Sequence, residues 1–445
     1  MALFKPTHIQ RMLAISLPDS LIEKLAIYTE AVQRERKVDI VLLVWTLVLG
    51  FSNGTRRKIA SLRRQYQQAS GTTIARSSFH DRLNVRLERL MKMLVDWMLK
   101  LRAEKTVREV SSRFQGFREL LACDSTVFRL HDLLREELPS TQDGQAAAKL
   151  HVVANVIEGK PNKIRLTGQT THDTGPWKKL GGWVRDSLLL LDLGYYDFHL
   201  FHRIMQQGGY FISRVKKNAN PLIVASNQTC VGNSIDLTQT QLQDILPRLQ
   251  RKVIDVTVEV DVQLRKYRGR RRTIQKQFRM VGVRNDETNE YHLYFTNISP
   301  DVLTARQIAM TYHLRWQVEL LFCRLKSIYR LHQVPTSQEH ILKIMLYASI
   351  LALLVSNVLL KSMRQLAPKR IIPARRMDAV FSDFASLILL AIASERRDRP
   401  LDLFELLMAE AIDPNIDRPR SHDFLRPIPL QDPTDIQAFT TSLGP

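Results

Sequence analysis

The sequence predicts a mixed α/β fold, with a strand-rich middle between helical N-terminal and C-terminal regions. Three observations carry that expectation. Helix-length apolar periodicity fills roughly the first 110 residues and residues 337 to 410. From about residue 117 the chain breaks into short, β-branched runs separated by polar, Gly or Pro residues. Within those, VTVEVDVQL alternates apolar and polar residues cleanly, as a half-buried strand does.

The elements follow in order. SLIEKLAIYTEAV, IVLLVWTLVLGF (residues 40 to 51) and FHDRLNVRLERLMKMLVDWMLKLRAEK read as helices, with turn signals at Ser52-Asn53-Gly54 and Ser70-Gly71. Between them, TRRKIASLRRQYQQASGTTIARSSFHDRLN is rich in Arg and Lys. It resembles a helix-turn-helix whose second helix starts near Ser77 or Ser78, although a solvated basic face has the same composition. ELLACDSTVFRL, KLHVVANVIEG, NKIRLTGQTT and DSLLLLDLGYYD read as strands, FHLFHRIMQQGG as a helix and YFISRVKKNANP as a further strand. VIDVTVEVDVQL, TIQKQFRMVGVRN and EYHLYFTNIS add three more. The first two flank a basic hairpin tip around Gly269 that carries Arg265, Lys266, Arg268, Arg270, Arg271 and Arg272. Residues 337 to 410 read as helical, and the tail from Pro414 as extended or poorly ordered.

Charge narrows the function. Sixty-five Lys and Arg against 44 Asp and Glu leave +21, a surplus that favours a polyanionic partner, nucleic acid ahead of an acidic membrane surface. Cys123, Cys230 and Cys323 are odd in number and widely spaced, which suggests a reducing compartment with neither a disulfide framework nor a zinc site. MALFKPTHIQRM lacks the apolar segment of a signal peptide. IMLYASILALLVSNVLL, residues 344 to 360, is short for a membrane span and interrupted by Ser349, Ser356 and Asn357; it reads as a buried helix.

Two acidic residues share one context. Asp124 follows LLAC and Asp192 follows LLLL, so each carboxylate stands at the end of a buried strand, partly desolvated. Taken singly, each is ordinary for a turn. Side by side, two such carboxylates repel, and a divalent cation is their natural partner. Asp186 and Asp197 read as solvent or turn carboxylates.

The remaining candidate is YHLRWQVELLFCRLK, Tyr312 to Lys326. On one continuous helix, Tyr312, Arg315, Glu319 and Lys326 fall within an arc of roughly 60°, opposite Leu314, Val318, Leu321 and Leu325. An amphipathic surface helix with an i,i+4 Arg–Glu pair has that pattern. So does a helix that presents a third carboxylate, Glu319, among phosphate-binding groups. Three carboxylates with oxygen ligands suit Mg²⁺ or Mn²⁺ better than zinc, and in a basic protein they suggest two-metal phosphodiester chemistry.

These residues resemble the DDE transposases of bacterial insertion sequences, in the branch with a Tyr-Arg-Glu-Lys signature (the insertion sequence four family). Tyr312, Arg315, Glu319 and Lys326 fit every gap of that signature, DSTVFRL resembles the first acidic motif and DLGYYDFHLF the second. The resemblance spans roughly residues 50 to 365. It implies a ribonuclease H-like catalytic core at 111–213 and 301–335, interrupted by a β-rich insertion at 214–300. A helical DNA-binding domain at 1–110 and a C-terminal helical region with its tail at 336–445 complete the expected organisation.

What the resemblance implies about chemistry is equally specific. Asp124, Asp192 and Glu319 are expected to bind two Mg²⁺ ions, with Mn²⁺ as a substitute, while Tyr312, Arg315 and Lys326 hold phosphates. The partners are double-stranded DNA, both the terminal inverted repeats and the target, and a second copy of the chain in a synaptic homodimer. No membrane is implied, and the expected place is the bacterial cytoplasm, at the nucleoid. Members of the branch form a hairpin at the element's end and place an aromatic of the insertion on a flipped base. Tyr291, Tyr294 and Phe295 are candidates for that aromatic, with core packing as their other reading. A catalytically silent DNA-binding regulator and a nuclease that stops at hydrolysis are the alternative functions, and an integral membrane protein the outside one.

Overall fold

In a computed structural model, the structure describes residues 12–13, 16–32, 38–51, 58–103, 114, 116–227, 237–249, 251–263, 273–285, 290–331, 336–367, 370–395 and 404–412. The basic hairpin tip around Gly269, the Ser52-Asn53-Gly54 turn and the tail from Pro414 lie outside them.

The N-terminal part of the described chain includes helices α1 (Asp19–Tyr28), α2 (Ile40–Leu49), α3 (Ile59–Ser70), α4 (Arg76–His80) and α5 (Val85–Ala103). Asp39 caps α2 by accepting the amides of Val41 and Leu42, which satisfies two donors a helix start leaves unpaired. Gly71, with φ +66, ends α3 in the left-handed conformation that glycine adopts without a Cβ penalty. In the expected helix-turn-helix, the second helix is the five-residue α4, on which Arg76, Ser77 and Ser78 are exposed.

The strands follow: β1 (Glu119–Arg129), β2 (Ala147–Asn155), β3 (Lys160–Gly168), β4 (Ser187–Leu191) and β5 (Tyr210–Arg214), with α6 (Phe198–Gln206) between the last two. Next come β6 (Leu222–Ser226), β7 (Thr240–Gln241), α7 (Leu242–Ile245), β8 (Val253–Gln263), β9 (Thr273–Arg284) and β10 (Tyr291–Thr296). Among the described residues they form a ten-stranded sheet ordered β3-β2-β1-β4-β5-β10-β9-β8-β6-β7. β1, β4 and β5 run parallel, while β2 lies antiparallel between β1 and β3. That is the strand order of a ribonuclease H-like core. β10 joins it antiparallel to β5, so the later strands extend the same sheet.

Helices α8 (Ala305–His313), α9 (Trp316–Ser327), α10 (Glu339–Leu366), α11 (Ala374–Glu395) and α12 (Phe404–Ala411) follow the sheet. Each face of the sheet has its own core. Leu120, Ala122, Leu188 and Leu190 pack on one side with the helices. Leu121, Cys123, Leu189 and Leu191 point to the other, among Phe201, Phe211, Phe278 and Phe295. A strand alternates its side chains, and one buried on both faces reads as an unbroken apolar run; LLLL in β4 is that run.

Among the described residues, two helices, Glu339–Leu366 and Ala374–Ser394, are long and apolar enough to cross a membrane by length and composition. In the first, 83% of the apolar window is buried inside the fold, so protein already covers the side chains that lipid would.

Candidate functional site

The alternation of β1 and β4 aims both carboxylates. Asp192 directly follows the last residue of β4. Asp124 lies within β1, paired with Val152, and not at the strand end the sequence suggested, because β1 continues its pairing with β2 to Arg129. Ala122 and Leu190 belong to the helix-side core, so Asp124 and Asp192, each two residues on, project toward the same side. Cys123 pairs with Leu191 in the parallel register, which sets Asp124 and Asp192 at the next step of neighbouring strands. Helix α9 packs against β1 on that side and brings Glu319.

The three carboxylates meet at one guanidinium. Arg315 Nη1 donates to Asp124 Oδ2 at 3.2 Å and Nη2 donates to Glu319 Oε1 at 2.7 Å. Nε lies 3.9 Å from Asp192 Oδ1, too far for a hydrogen bond, and is buried without a hydrogen-bond partner. The other oxygen of Asp124 accepts the Ser125 amide at 2.7 Å. Asp192 is the most open of the three, its side chain 41% exposed against 17% for Asp124 and 31% for Glu319. Burial pushes the Asp124 carboxyl up to about 6; the Ser125 amide and Arg315 oppose that rise, and the nearby Asp192 and Glu319 charges add to it. With the guanidinium between them, the carboxylates do not form a metal-holding group as placed, nor does any other trio of His, Cys, Asp or Glu among the described residues.

The motif is not the single helix that the wheel assumed. Leu314, Arg315, Gln317 and Val318 donate to carbonyls three residues back, at 3.0 to 3.1 Å, and this 3₁₀-like tightening separates α8 from α9. Tyr312 therefore does not share the exposed arc with the other three signature residues. It is buried, its ring 5.0 Å from that of Tyr294, and its hydroxyl donates to the Leu191 carbonyl at 3.3 Å. Arg315 stands at the N-cap of α9, with its guanidinium 5.9 Å from the Tyr312 ring. Lys326 lies two turns beyond Glu319 on the same face, and its ammonium donates to the Val127 carbonyl at 3.2 Å, near the end of the Asp124 strand. Leu314, Val318, Leu321 and Leu325 are buried, as the apolar side of the wheel expects.

The other candidates have separate places. Asp197 caps α6 by accepting the His199 amide, and Asp186 sits in a turn with φ +56. Tyr294 and Phe295 are core residues, and Tyr291 donates its hydroxyl to the Arg251 carbonyl.

Behind the sheet lies a cluster that sequence reasoning missed. Asp173 accepts Ser125 Oγ at 2.7 Å and Lys149 Nζ at 3.3 Å, and lies 3.9 Å from His151 Nδ1. Burial drives the His151 imidazole down to about 4, keeping it neutral at physiological pH. Asp173 also rests against Gly194, where an added Cβ would lie 2.5 Å from its Oδ2. The cluster thus touches the residues that follow both Asp124 and Asp192. Its one sequence signal is Lys149 and His151 at i,i+2 on the otherwise apolar KLHVVANV strand.

A family model described as the transposase DDE domain matches residues 115–355. The transposase for insertion sequence element IS231B of Bacillus thuringiensis subsp. berliner is 23% identical, over 88% of this chain and 89% of the relative. That for IS1151 of Clostridium perfringens is 24% identical, over 55% and 57%. Among solved structures, the piggyBac transposase synaptic complex with hairpin DNA matches with a TM-score of 0.47 and 9% identity, covering 94% of this chain and 88% of that one.

Proposed function

Because this chain belongs to the DDE transposase family, whose domain matches more than half its length, we propose that it binds the ends of a mobile DNA element, cuts there and joins the freed ends to target DNA. The single observation that best supports this reading is the convergence of Asp124, Asp192 and Glu319 on Arg315. Their oxygen donors suit hard divalent cations, and the repulsion among them falls when such charge joins. Asp124, Asp192 and Glu319 would hold two Mg²⁺ ions, or Mn²⁺ in their place, which would supply activation of the attacking oxygen and stabilisation of the leaving one.

The chain's own residues do the positioning. Strands β1 and β4 fix the two aspartates one register step from the Cys123–Leu191 pair. Lys326 and Arg315 bind phosphates beside the cut, the first as a mobile point charge and the second as a planar fork. Tyr312 acts from below, bracing the last residue of β4 before Asp192. On this reading water first cuts one strand at the element's end. The freed 3′-hydroxyl attacks the opposite strand to close a hairpin, and a second hydrolysis opens it before joining. The proposed assembly is a homodimer that holds two terminal inverted repeats and the target, in the bacterial cytoplasm at the nucleoid.

The test uses duplexes that carry the terminal inverted repeats, with and without Mg²⁺. The wild type cleaves and yields joined strand-transfer products. Asp124→Ala, Asp192→Ala and Glu319→Gln bind the same duplexes and do not cleave. Near wild-type cleavage by any one variant removes that residue from the site. Cleavage without joined products favours the nuclease, and binding without cleavage by the wild type favours the silent regulator.

A further inference from the structure

The placement of Arg315 points to a role beyond holding phosphate. Its guanidinium engages Asp124 Oδ2 and Glu319 Oε1 directly and faces Asp192. Those are oxygens that a divalent cation requires, so cation and guanidinium compete for one place. We propose that Arg315 is a resident counter-cation that holds the three carboxylates in the DNA-free chain and yields them only when a DNA phosphate draws it away, so that divalent ions load after DNA. This rests on the reading of Asp124, Asp192 and Glu319 as the metal-binding set.

Two features make the exchange physically reasonable. First, a guanidinium is permanently charged and carries five donors in a fixed fork. Arg315 uses Nη1 and Nη2 on carboxylates, while its buried Nε faces Asp192 at 3.9 Å without a hydrogen bond. A phosphate oxygen offers a new acceptor to that fork. Second, three carboxylates against one guanidinium leave the pocket negative, which repels DNA. Moving the guanidinium onto the phosphate lowers that repulsion, and divalent ions then restore the balance. Metal and DNA end thus favour each other's binding, and the coupling is reciprocal. A nuclease built this way stays unloaded until an end is seated.

The experiment measures Mn²⁺ binding to the full chain by electron paramagnetic resonance, with no turnover required. Wild type, Arg315→Gln and Arg315→Lys are titrated without DNA and again with a duplex carrying the terminal inverted repeat. Circular dichroism melts confirm that each variant is folded. Without DNA, Arg315→Gln binds Mn²⁺ about tenfold or more tighter than wild type. Arg315→Lys falls between them, since a single ammonium cannot span three carboxylates. The duplex tightens Mn²⁺ binding to the wild type and leaves Arg315→Gln nearly unchanged.

Adding Glu319→Gln to Arg315→Gln abolishes the gain. Equal Mn²⁺ affinity in wild type and Arg315→Gln, both weakened by Glu319→Gln, overturns the counter-cation role and leaves the metal set standing. Mn²⁺ binding that Glu319→Gln does not alter in any state overturns the metal set itself, and this inference with it.

Discussion

Arg324, on α9, and Asp378, on α11, form an ion pair that is buried on both sides. The same guanidinium donates to Asn357 Oδ1 at 2.7 Å and to the Gly159 carbonyl at 3.1 Å. Asp378 Oδ1 also accepts Tyr329 at 2.6 Å and Ser356 at 2.7 Å. Removing one partner of such a pair leaves a buried, uncompensated charge, which costs ~3–5 kcal/mol. Arg324→Ala is therefore expected to destabilise the protein by that order in chemical denaturation. Joint replacement by Arg324→Met and Asp378→Leu recovers only part of the loss: no lone charge remains, but Tyr329, Ser356 and Asn357 lose their bonds to the pair. Glu319 and Lys326 ride on the same helix, so cleavage falls with Arg324→Ala even where the protein is still folded.

Among the described residues Lys326 hydrogen-bonds the Val127 carbonyl alone, and DNA phosphate offers a stronger, charge-assisted bond. Lys326→Ala is expected to weaken binding to end-containing duplexes. The slope of log affinity against log salt becomes shallower by about one, the signature of one lost phosphate contact. Fluorescence anisotropy across a salt series reads both. An unchanged slope puts Lys326 outside the phosphate contacts.

Asp124 sets a pH dependence. Its carboxyl stands at about 6 in the folded protein against an ordinary 3.8. The folded state therefore binds the extra proton between these values. Its contribution to stability is complete below about 3.8 and lost as pH rises through about 6. At neutral pH, Asp124→Asn removes a strained charge, and linkage sets the gain at up to on the order of 3 kcal/mol. The expected result is a higher melting temperature for the inactive variant at pH 7, with the difference closing toward pH 4. Conversely, Mn²⁺ affinity of the end-bound wild type falls as pH drops, because proton and cation compete for one carboxylate.

Much of this site is legible in the sequence, and what is not has physical causes. The apolar runs LLAC and LLLL mark two buried strands, and because side chains alternate along a strand, Asp124 and Asp192 at matching positions project to one side. That β1 continues past Asp124 to Arg129 is set by its pairing with β2. Glu319 and Lys326 keep their seven-residue relation because α9 is regular between them. Tyr312 escapes the wheel because the 3₁₀-like turn at Leu314 and Arg315 changes the angle per residue, and nothing in the residue types there announces it. The convergence on Arg315 is a tertiary event that joins β1, β4 and α9, and no spacing encodes it. Arg324 is similarly opaque: a charged residue within LLFCRLK looks solvated until Asp378, far along the chain, arrives beside it.

The Asp173 cluster gives the last expectation, because it backs both aspartates without belonging to the site. A methyl at Gly194 would lie 2.5 Å from Asp173 Oδ2 and 3.3 Å from its Cγ. Asp173 cannot easily retreat, since Ser125 and Lys149 hold its other oxygen. Gly194→Ala is therefore expected to cost ~1–3 kcal/mol through overpacking and to shift the turn that carries Asp192. Asp173→Ala alone costs stability by taking from Lys149 its carboxylate partner and leaving it, among the described residues, the Thr171 carbonyl. Together they are not additive: with Asp173 shortened, the Gly194 methyl has room and its added cost shrinks. A double-mutant cycle in denaturant measures this coupling. Simple additivity of the two losses breaks the proposed contact, and with it the idea that Asp173 braces the turn behind Asp192.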